Sequence, residues 1–306
     1  INGAMVKLFF SESFFKKLGI TTVASIFILV LLGGIVRISG SGMGCPDWPR
    51  CFGHLIPPTS IDQVKLIPGD SYKKGQMIIQ NDTLWVAKNK LESVKEFNYN
   101  DWEPYTKHSY AKFNALHTWI EFINRLAGAL TGLFILLTLV SSLQYRKSKP
   151  YVLILSLAGF LLTMFQAWMG AKVVESNLDG WKITIHLLLA FAIIALVMLA
   201  VFHDKKALDL NKIDNKKLFI NVSIIALIIS IIQIIIGSQV REHVDQMEKT
   251  LGFIDWQKGF GEWLESHKLL SMLVVTINIY LFSRTRALEN QHPVNKTLFW
   301  IITLLV

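Results

Sequence analysis

Histidine, glutamate and arginine side chains occur in stretches of this sequence that are otherwise almost entirely apolar. His117, Glu121 and Asn124 are spaced by four and three residues, so on a helix they share one face over about 10 Å. Arg125 follows Glu121 by four residues and can form an ion pair with it. A charged group inside a membrane helix costs about 2.5–3.5 kcal/mol on insertion scales, so each of these residues is a candidate for function.

Membrane-spanning helices must position these residues. The 306 residues are 52% hydrophobic, with a mean hydropathy of +0.42, which leaves too little polar surface for a soluble domain. A helix needs about 20 apolar residues to cross a bilayer core of roughly 30 Å. Runs of about this length lie at residues 18–36, 115–140, 151–170, 183–202, 218–240 and 263–282, and another begins near Thr297. We therefore predict an all-α, polytopic membrane helical bundle whose seventh helix continues beyond Val306.

The net charge of +9 is spread over short basic clusters between the apolar runs. No single basic patch forms, which argues against nucleic-acid binding. The clusters follow the second, fourth and sixth runs, whereas the loop at 173–182 is nearly neutral. Because basic loops stay in the cytoplasm, we predict a cytoplasmic N-terminus and an external segment at 38–114, in the plasma (inner) membrane.

With this orientation, the costly side chains all lie toward the external surface. They are Arg37, His117, Glu121, Asn124, Arg125, Gln166, His186, Gln233, Arg241, Glu265 and His267. Three histidines at similar depth on different helices favour a bound metal, because neutral imidazole is a good iron ligand and a helical bundle can hold a macrocycle. The sequence has no Cys/His cluster with the spacing of zinc ligands, and no cluster of oxygen-bearing side chains that would bind calcium. Haem is therefore the best-fitting cofactor, with a proton relay or structural pairing as the alternative.

The external segment begins with two cysteines and continues into strand-like sequence. Cys45 and Cys51 lie just outside the first run. Because the exterior of most cells is oxidising, we expect a disulfide, with a reactive cysteine pair as the alternative. Residues 76–79 and 84–87 flank the turn sequence Gln-Asn-Asp-Thr at 80–83, which predicts a small β-hairpin. A structured loop is favoured here over a carbohydrate-binding insert.

Polar motifs also recur along the chain. Gly-Gly-Ile-Val-Arg at 33–37 closes the first run and Gly-Ser-Gln-Val-Arg at 237–241 closes the fifth, while Asn124–Arg125 matches His267–Lys268. In each pair, the two matching motifs lie at the same side of the membrane in the predicted orientation. This predicts two parallel four-helix repeats and an eighth helix beyond the given residues. The predicted halves are residues 1–203, with the external loop 38–114, and residues 204–306, without the eighth helix.

Several of these motifs resemble those of one enzyme family. Gly-Ser-Gly-Met-Gly-Cys-Pro-Asp-Trp-Pro-Arg-Cys at 40–51 resembles the signature after the first helix of haem A synthases, and Glu-Phe-Ile-Asn-Arg at 121–125 resembles their second-helix motif. The resemblance extends to Gln-Ala-Trp-Met-Gly at 166–170, Gln-Ile-Ile-Ile-Gly at 233–237, His186 and His267. It covers nearly the whole chain except the insert at about 61–110.

The resemblance implies an eight-helix membrane oxidoreductase of the haem O monooxygenase type. Such enzymes oxidise a ring methyl group of haem O to the formyl group of haem A, which terminal oxidases use. The resemblance implies haem b as a resident cofactor in one half of the protein and haem O as substrate in the other. It makes Glu121 the acidic residue needed for activity, in the role of a proton relay or of a stabiliser of positive charge at the methyl carbon, and it makes His186 and His267 iron ligands. Asn124 replaces the helix-two histidine of many members, so either His117 substitutes for it or that position lacks a ligand from helix two.

The expected partners follow from the same resemblance. Molecular oxygen is the second substrate, an electron donor is required, and haem O synthase would supply the haem O. Arg37, Arg125 and Arg241 are expected either to bind haem propionates or to extend to lipid headgroups. Membrane lipid surrounds the bundle, and a homo-oligomer is left open.

Two other functions account for part of the pattern. A b-type membrane cytochrome that passes electrons explains the histidines but assigns no role to Glu121. A proton-coupled transporter explains Glu121 and Arg125 but not the repeated histidines or the cysteine loop.

Overall fold

The computed structural model describes residues 9–108, 111–203, 215–251 and 261–289, except for the side chains of 248–251, 261–263 and 285–289. Within them, six helices are long and apolar enough to cross a membrane. They are α1 (Glu12–Ile38), α2 (Ala115–Ser142), α3 (Pro150–Glu175), α4 (Gly180–Val201), α5 (Lys216–Leu251) and α6 (Gly261–Glu289). The predicted polytopic helical bundle is confirmed, whereas the run that begins at Thr297 lies outside the described residues.

Capping residues that an apolar count does not detect determine where the helices begin. The Ser11 hydroxyl accepts the Phe14 N–H at the start of α1, and Asn114 accepts the N–H groups of Leu116 and His117 at the start of α2. Each cap satisfies backbone donors that the first helical turn leaves unpaired. α1 therefore begins at Glu12, ahead of the apolar run at 18–36, whereas α2 begins at Ala115 as predicted.

The first four helices close into a bundle. α1 packs against α2 and α4, and α3 packs against the same two helices, while α5 packs against α4 and α6. The buried core of the bundle comprises Phe15, Val23, Ile26, Phe27, Ile135, Tyr145, Val152, Ile193, Ile194, Val197, Ala200 and Val201. Close helix contact is also visible where the Thr22 and Thr138 hydroxyls of α1 and α2 are 2.9 Å apart. Large apolar side chains such as Leu31 and Leu199 cover the outer faces, as expected next to lipid.

Residues between α1 and α2 form two small antiparallel sheets. Their strands are β1 (Asp70–Tyr72), β2 (Met77–Gln80), β3 (Thr83–Ala87), β4 (Leu91–Val94) and β5 (Trp102–Pro104), paired as β1-β4 and β2-β3-β5. The predicted hairpin is confirmed as β2-β3, with Gln80 opposite Thr83 and positive φ at Asn81 and Asp82. The other three strands have three or four residues each, too few to show an alternating pattern.

Candidate functional site

The loop after α1 lies directly on the first turn of α2. The Thr118 hydroxyl donates to the Gly44 carbonyl at 2.8 Å. A Cβ atom on Gly44 would lie 2.5 Å from the backbone carbonyl of His117, so a larger residue would force the two backbones apart. Glycine at this position therefore allows the loop to approach the helix.

Glu121 and Arg125 bind this loop from the face of α2. Glu121 is 4% exposed, and its Oε2 accepts the Cys45 N–H at 2.8 Å. Arg125 forms an ion pair with the other carboxylate oxygen, as the spacing predicts, and donates to the carbonyls of Asp47 (2.6 Å), Arg50 (3.0 Å) and Cys45 (3.1 Å). The pair thus attaches the loop after α1 to α2 by charge-assisted hydrogen bonds.

The attached loop is also closed on itself and covered by the insert. A disulfide joins Cys45 and Cys51, which confirms the predicted bond. Asp47 Oδ2 accepts the Gly53 N–H at 2.9 Å, but burial still raises the pKa of Asp47 above its usual value. The Tyr105 hydroxyl donates to the Pro46 carbonyl at 2.7 Å, and burial raises the pKa of Tyr105 to about 12. Tyr105 therefore remains a neutral donor at physiological pH.

Two predicted site histidines have the same surroundings in two different helix pairs. In α3 and α4, Gln166 Nε2 donates to the His186 carbonyl at 2.8 Å, and a Cβ on Gly170 would lie 3.3 Å from His186 Cε1. In α5 and α6, Gln233 Nε2 donates to the His267 carbonyl at 3.2 Å. A Cβ on Gly237 would lie 2.9 Å from His267 Cε1. At each site, the imidazole therefore packs against a glycine of the neighbouring helix, and that glycine lies one turn after the glutamine on the same helix.

Both of these sites contain unpaired polar atoms. His186 Nδ1, His267 Nδ1, Gln166 Oε1 and Gln233 Oε1 are buried and have no hydrogen-bond partner among the described residues. A buried polar atom without a partner is costly, and such atoms often mark a site that a ligand completes.

The remaining predicted site residues occupy separate places. His117 donates its backbone N–H to the Asn114 cap, and its ring makes no hydrogen bond with a described residue. Asn124 Oδ1 on the same helix is buried and unpaired. No group of three or more His, Cys, Asp or Glu side chains within the described ranges is placed to hold a metal ion. The three histidines therefore lie on separate helices and do not form one cluster.

Two of the predicted propionate-binding arginines share a carboxylate. Asp245 on α5 forms ion pairs with Arg37 of α1 (2.5 Å) and with Arg241 of α5 (3.0 Å). The Arg37 side chain in this pair is 19% exposed. Asp245 thus links the C-terminal part of α5 to the C-terminal end of α1.

Sequence reasoning missed Asp245 and Thr118, and it assigned no role to the two glycines beneath the histidines, although both close quoted family motifs. Asp245 follows Arg241 by four residues, which is an ion-pair spacing on a helix, and it lies beyond the apolar run that predicted α5. Gly170 and Gly237 each follow a glutamine by four residues. The repeated Gln-x-x-x-Gly spacing was the available signal for the glycines.

The fold and the site define a polytopic helical membrane protein with a disulfide-closed loop after α1 and two matching histidine sites between helix pairs. Residues 16–306 match the cytochrome oxidase assembly protein family, COX15-CtaA. Because the match covers nearly the whole chain, the chain belongs to this family.

Individual relatives in this family carry a more specific name. The chain is 28% identical to "Heme A synthase" of Rickettsia prowazekii (strain Madrid E) over 226 residues, which are 70% of this chain and 58% of the relative. It is 29% identical to "Heme A synthase" of Ehrlichia canis (strain Jake) over 244 residues, 75% of this chain and 60% of the relative. It is 30% identical to "Heme A synthase" of Wolbachia sp. subsp. Brugia malayi (strain TRS) over 223 residues, 70% of this chain and 58% of the relative.

The chain therefore spans about three fifths of the length of these relatives. No solved structure matches it.

Proposed function

We propose that this protein is a haem A synthase, an oxidoreductase that converts a ring methyl group of haem O to the formyl group of haem A. Family membership and the names of the relatives support this activity. The observation that carries the proposal is the repeated histidine site, His186 in α3/α4 and His267 in α5/α6, because the reaction needs one place for a resident haem and another for the substrate haem.

The residues at both sites fit a haem group. Each site offers an imidazole as an iron ligand, and glycine beneath the ring leaves room that a side chain would fill. We assign haem b to His267 in the C-terminal half, and haem O to His186 in the N-terminal half with His117 as a further ligand. When bound, haem b supplies the electron transfer needed to activate molecular oxygen, with electrons from a separate donor.

Glu121 is the residue that we propose for proton transfer. Hydrogen bonds from Cys45 and Arg125 fix the orientation of its carboxylate in a nearly water-free position. A carboxylate so held can accept a proton or stabilise positive charge that develops at the methyl carbon of haem O. Arg37 and Arg241, both paired with Asp245, would bind haem propionates. Arg125 instead donates its hydrogen bonds to loop carbonyls such as that of Asp47.

The proposed setting is the plasma (inner) membrane, with the N-terminus in the cytoplasm and the disulfide loop outside. A haem O synthase would deliver the substrate through the shared membrane.

The test is to co-express the full-length protein with a haem O-producing synthase, then extract the haems and separate them by chromatography. We expect haem A or its alcohol precursor with the wild type, and a loss of at least 100-fold in Glu121→Gln, which keeps the size of the side chain. Glu265→Gln is the matched control, since Glu265 is an exposed helix-six glutamate paired with Lys268. Unaltered haem O beside wild-type protein would contradict the proposal.

One observation favours a second function, that of a b-type cytochrome which passes electrons. All hydrogen bonds that the structure shows for Glu121 go to the outer loop and Arg125, which is the pattern of a structural anchor. A b-type absorbance spectrum in protein that yields only unmodified haem would establish this alternative.

A further inference from the structure

We infer that Gln166 and Gln233 are positioning residues, whose amide oxygens accept the Nδ1–H of His186 and His267 and thereby direct Nε2 of each ring toward haem iron. The inference rests on the proposed function, because it concerns how the same two sites bind haem. Four observations support it in turn.

First, each glutamine is already bonded to the histidine in question. Gln166 Nε2 donates to the His186 carbonyl at 2.8 Å, and Gln233 Nε2 donates to the His267 carbonyl at 3.2 Å. The amide group of each glutamine is therefore held next to one particular histidine of the neighbouring helix.

Second, the unpaired atoms are complementary. Each amide oxygen is an acceptor without a donor, and each Nδ1 is a ring nitrogen without a partner. Both atoms are buried, where an unpaired polar group is costly. One hydrogen bond from Nδ1–H to Oε1 would satisfy both atoms at each site.

Third, the bond gives each histidine the tautomer that a metal ligand needs. A neutral imidazole that carries its proton on Nδ1 has a free electron pair on Nε2. Metal-bound histidines almost always donate the other ring N–H to an acceptor, which fixes the ring and strengthens the metal ligand. With Nδ1–H bonded to the glutamine, Nε2 is the ring nitrogen left for a ligand.

Fourth, the arrangement occurs twice. The glutamine, the glycine four residues later and the histidine of the next helix recur in α3/α4 and in α5/α6 with the same contacts. A chance packing contact would have no reason to recur with the same unpaired atoms.

The test uses the full-length protein purified with haem b, and measures haem affinity and the ferric/ferrous midpoint potential. Gln233→Leu removes the acceptor, so the imidazole becomes a weaker ligand for ferric iron. We expect haem affinity to fall about 10-fold or more. A tenfold weaker preference for ferric haem corresponds to a potential raised by about 59 mV.

Gln233→Glu separates the two hydrogen bonds of the glutamine. A carboxylate cannot donate to the His267 carbonyl, but it accepts from Nδ1–H more strongly than an amide does. We therefore expect the potential to fall below the wild-type value, opposite to the leucine variant. Equal shifts in both variants would mean that Gln233 only ties two helices together, and would overturn the inference. Because glutamate keeps the size of glutamine, this variant carries the test even if Gln233→Leu does not fold.

Gln239→Leu is the matched control. Gln239 is on the same helix and donates to Thr184 Oγ1 at 3.2 Å, the length of the Gln233 bond, but Thr184 is not a proposed haem ligand. Its loss should leave potential and affinity unchanged. Unchanged values in all three variants would overturn the inference and leave the proposed function intact. A wild type that binds no haem, or His267→Ala that keeps its haem, would instead contradict the proposed function.

Discussion

Arg125 connects α2 to the loop after α1 through three hydrogen bonds to loop carbonyls, and a fourth hydrogen bond pairs it with Glu121 on its own helix. Its acidic partner, Glu121, is nearly inaccessible to water. Removing one member of a buried ion pair costs more than the pair contributes, because the remaining charge stays buried. Arg125 therefore has a clear structural role, whatever further role it has toward haem.

We predict that Arg125→Met destabilises the protein by about 3–5 kcal/mol, because Glu121 then remains buried without its cation. Thermal unfolding in detergent, with protease cleavage of the 40–54 loop as a local probe, measures this effect. Arg146→Met, a substitution of an exposed arginine, should change stability by less than about 0.5 kcal/mol. Equal losses in the two variants would show that the ion pair does not hold the loop.

Asp47 gives the outer loop a pH dependence of predictable sign. Burial raises its pKa in the folded state above the ordinary value of 3.8, so the folded loop binds the proton more tightly than the unfolded loop. Stability should therefore fall as pH rises from about 4 through the raised pKa, and then level off. Asp47→Asn keeps an oxygen for the Gly53 N–H and should remove this slope. Loop protection that rises with pH in the wild type, measured by hydrogen exchange corrected for its intrinsic rate, would contradict the assignment.

At the scale of elements, apolar runs predict which segments are helices but not where they end. α5 continues beyond its predicted end at Val240 to Leu251. The apolar run stops at Val240 because the following residues are polar, and the Arg241–Asp245 ion pair supports the helix there. Small residues then allow the paired helices to approach each other. A glycine lies beneath each histidine, and between α4 and α5 the hydroxyls of Thr184 and Ser238 are 2.5 Å apart.

We predict that Gly237→Ala separates haem binding from stability. The added methyl group would lie 2.9 Å from His267 Cε1, so the ring must rotate, whereas the backbone need not move. Haem content of the purified protein should fall at least 10-fold, with thermal stability changed by less than about 1 kcal/mol. Gly132→Ala, where the methyl group meets no atom within 4 Å, is the control and should keep both properties. Full haem occupancy in Gly237→Ala would argue against His267 as a ligand.

At the scale of the whole molecule, the orientation in the membrane remains a prediction from charge. The insert with its two sheets and disulfide loop lies at the ends of α1 and α2, opposite the basic loop between α2 and α3. All proposed site residues lie at the same end as the insert, so the orientation also decides on which side the chemistry occurs.

Cysteine labelling tests this orientation directly, because both native cysteines are in a disulfide and do not react. With a membrane-impermeant maleimide, Asn98→Cys in the insert should be labelled in intact cells. Lys147→Cys, exposed after α2, should be labelled only after the cells are opened. The reverse pattern would place the insert in the cytoplasm.

The sequence by itself determined the number of described helices, the hairpin, the disulfide and the Glu121–Arg125 pair. Each of these follows from local composition or from spacing along one element, which hydropathy, turn residues and helical periodicity express directly. It also predicted that His186 and His267 lie at similar depth.

Only the tertiary structure decided what these residues contact. That Gln166 bonds to His186, that Gly44 touches His117, and that Asp245 joins Arg37 to Arg241 depends on which helices are neighbours and how each is rotated. Every helix here is apolar on most faces, because lipid surrounds it, so periodicity does not indicate which face meets a neighbour. The packing of small residues and the pairing of buried polar groups set these contacts, and both form only when the helices assemble.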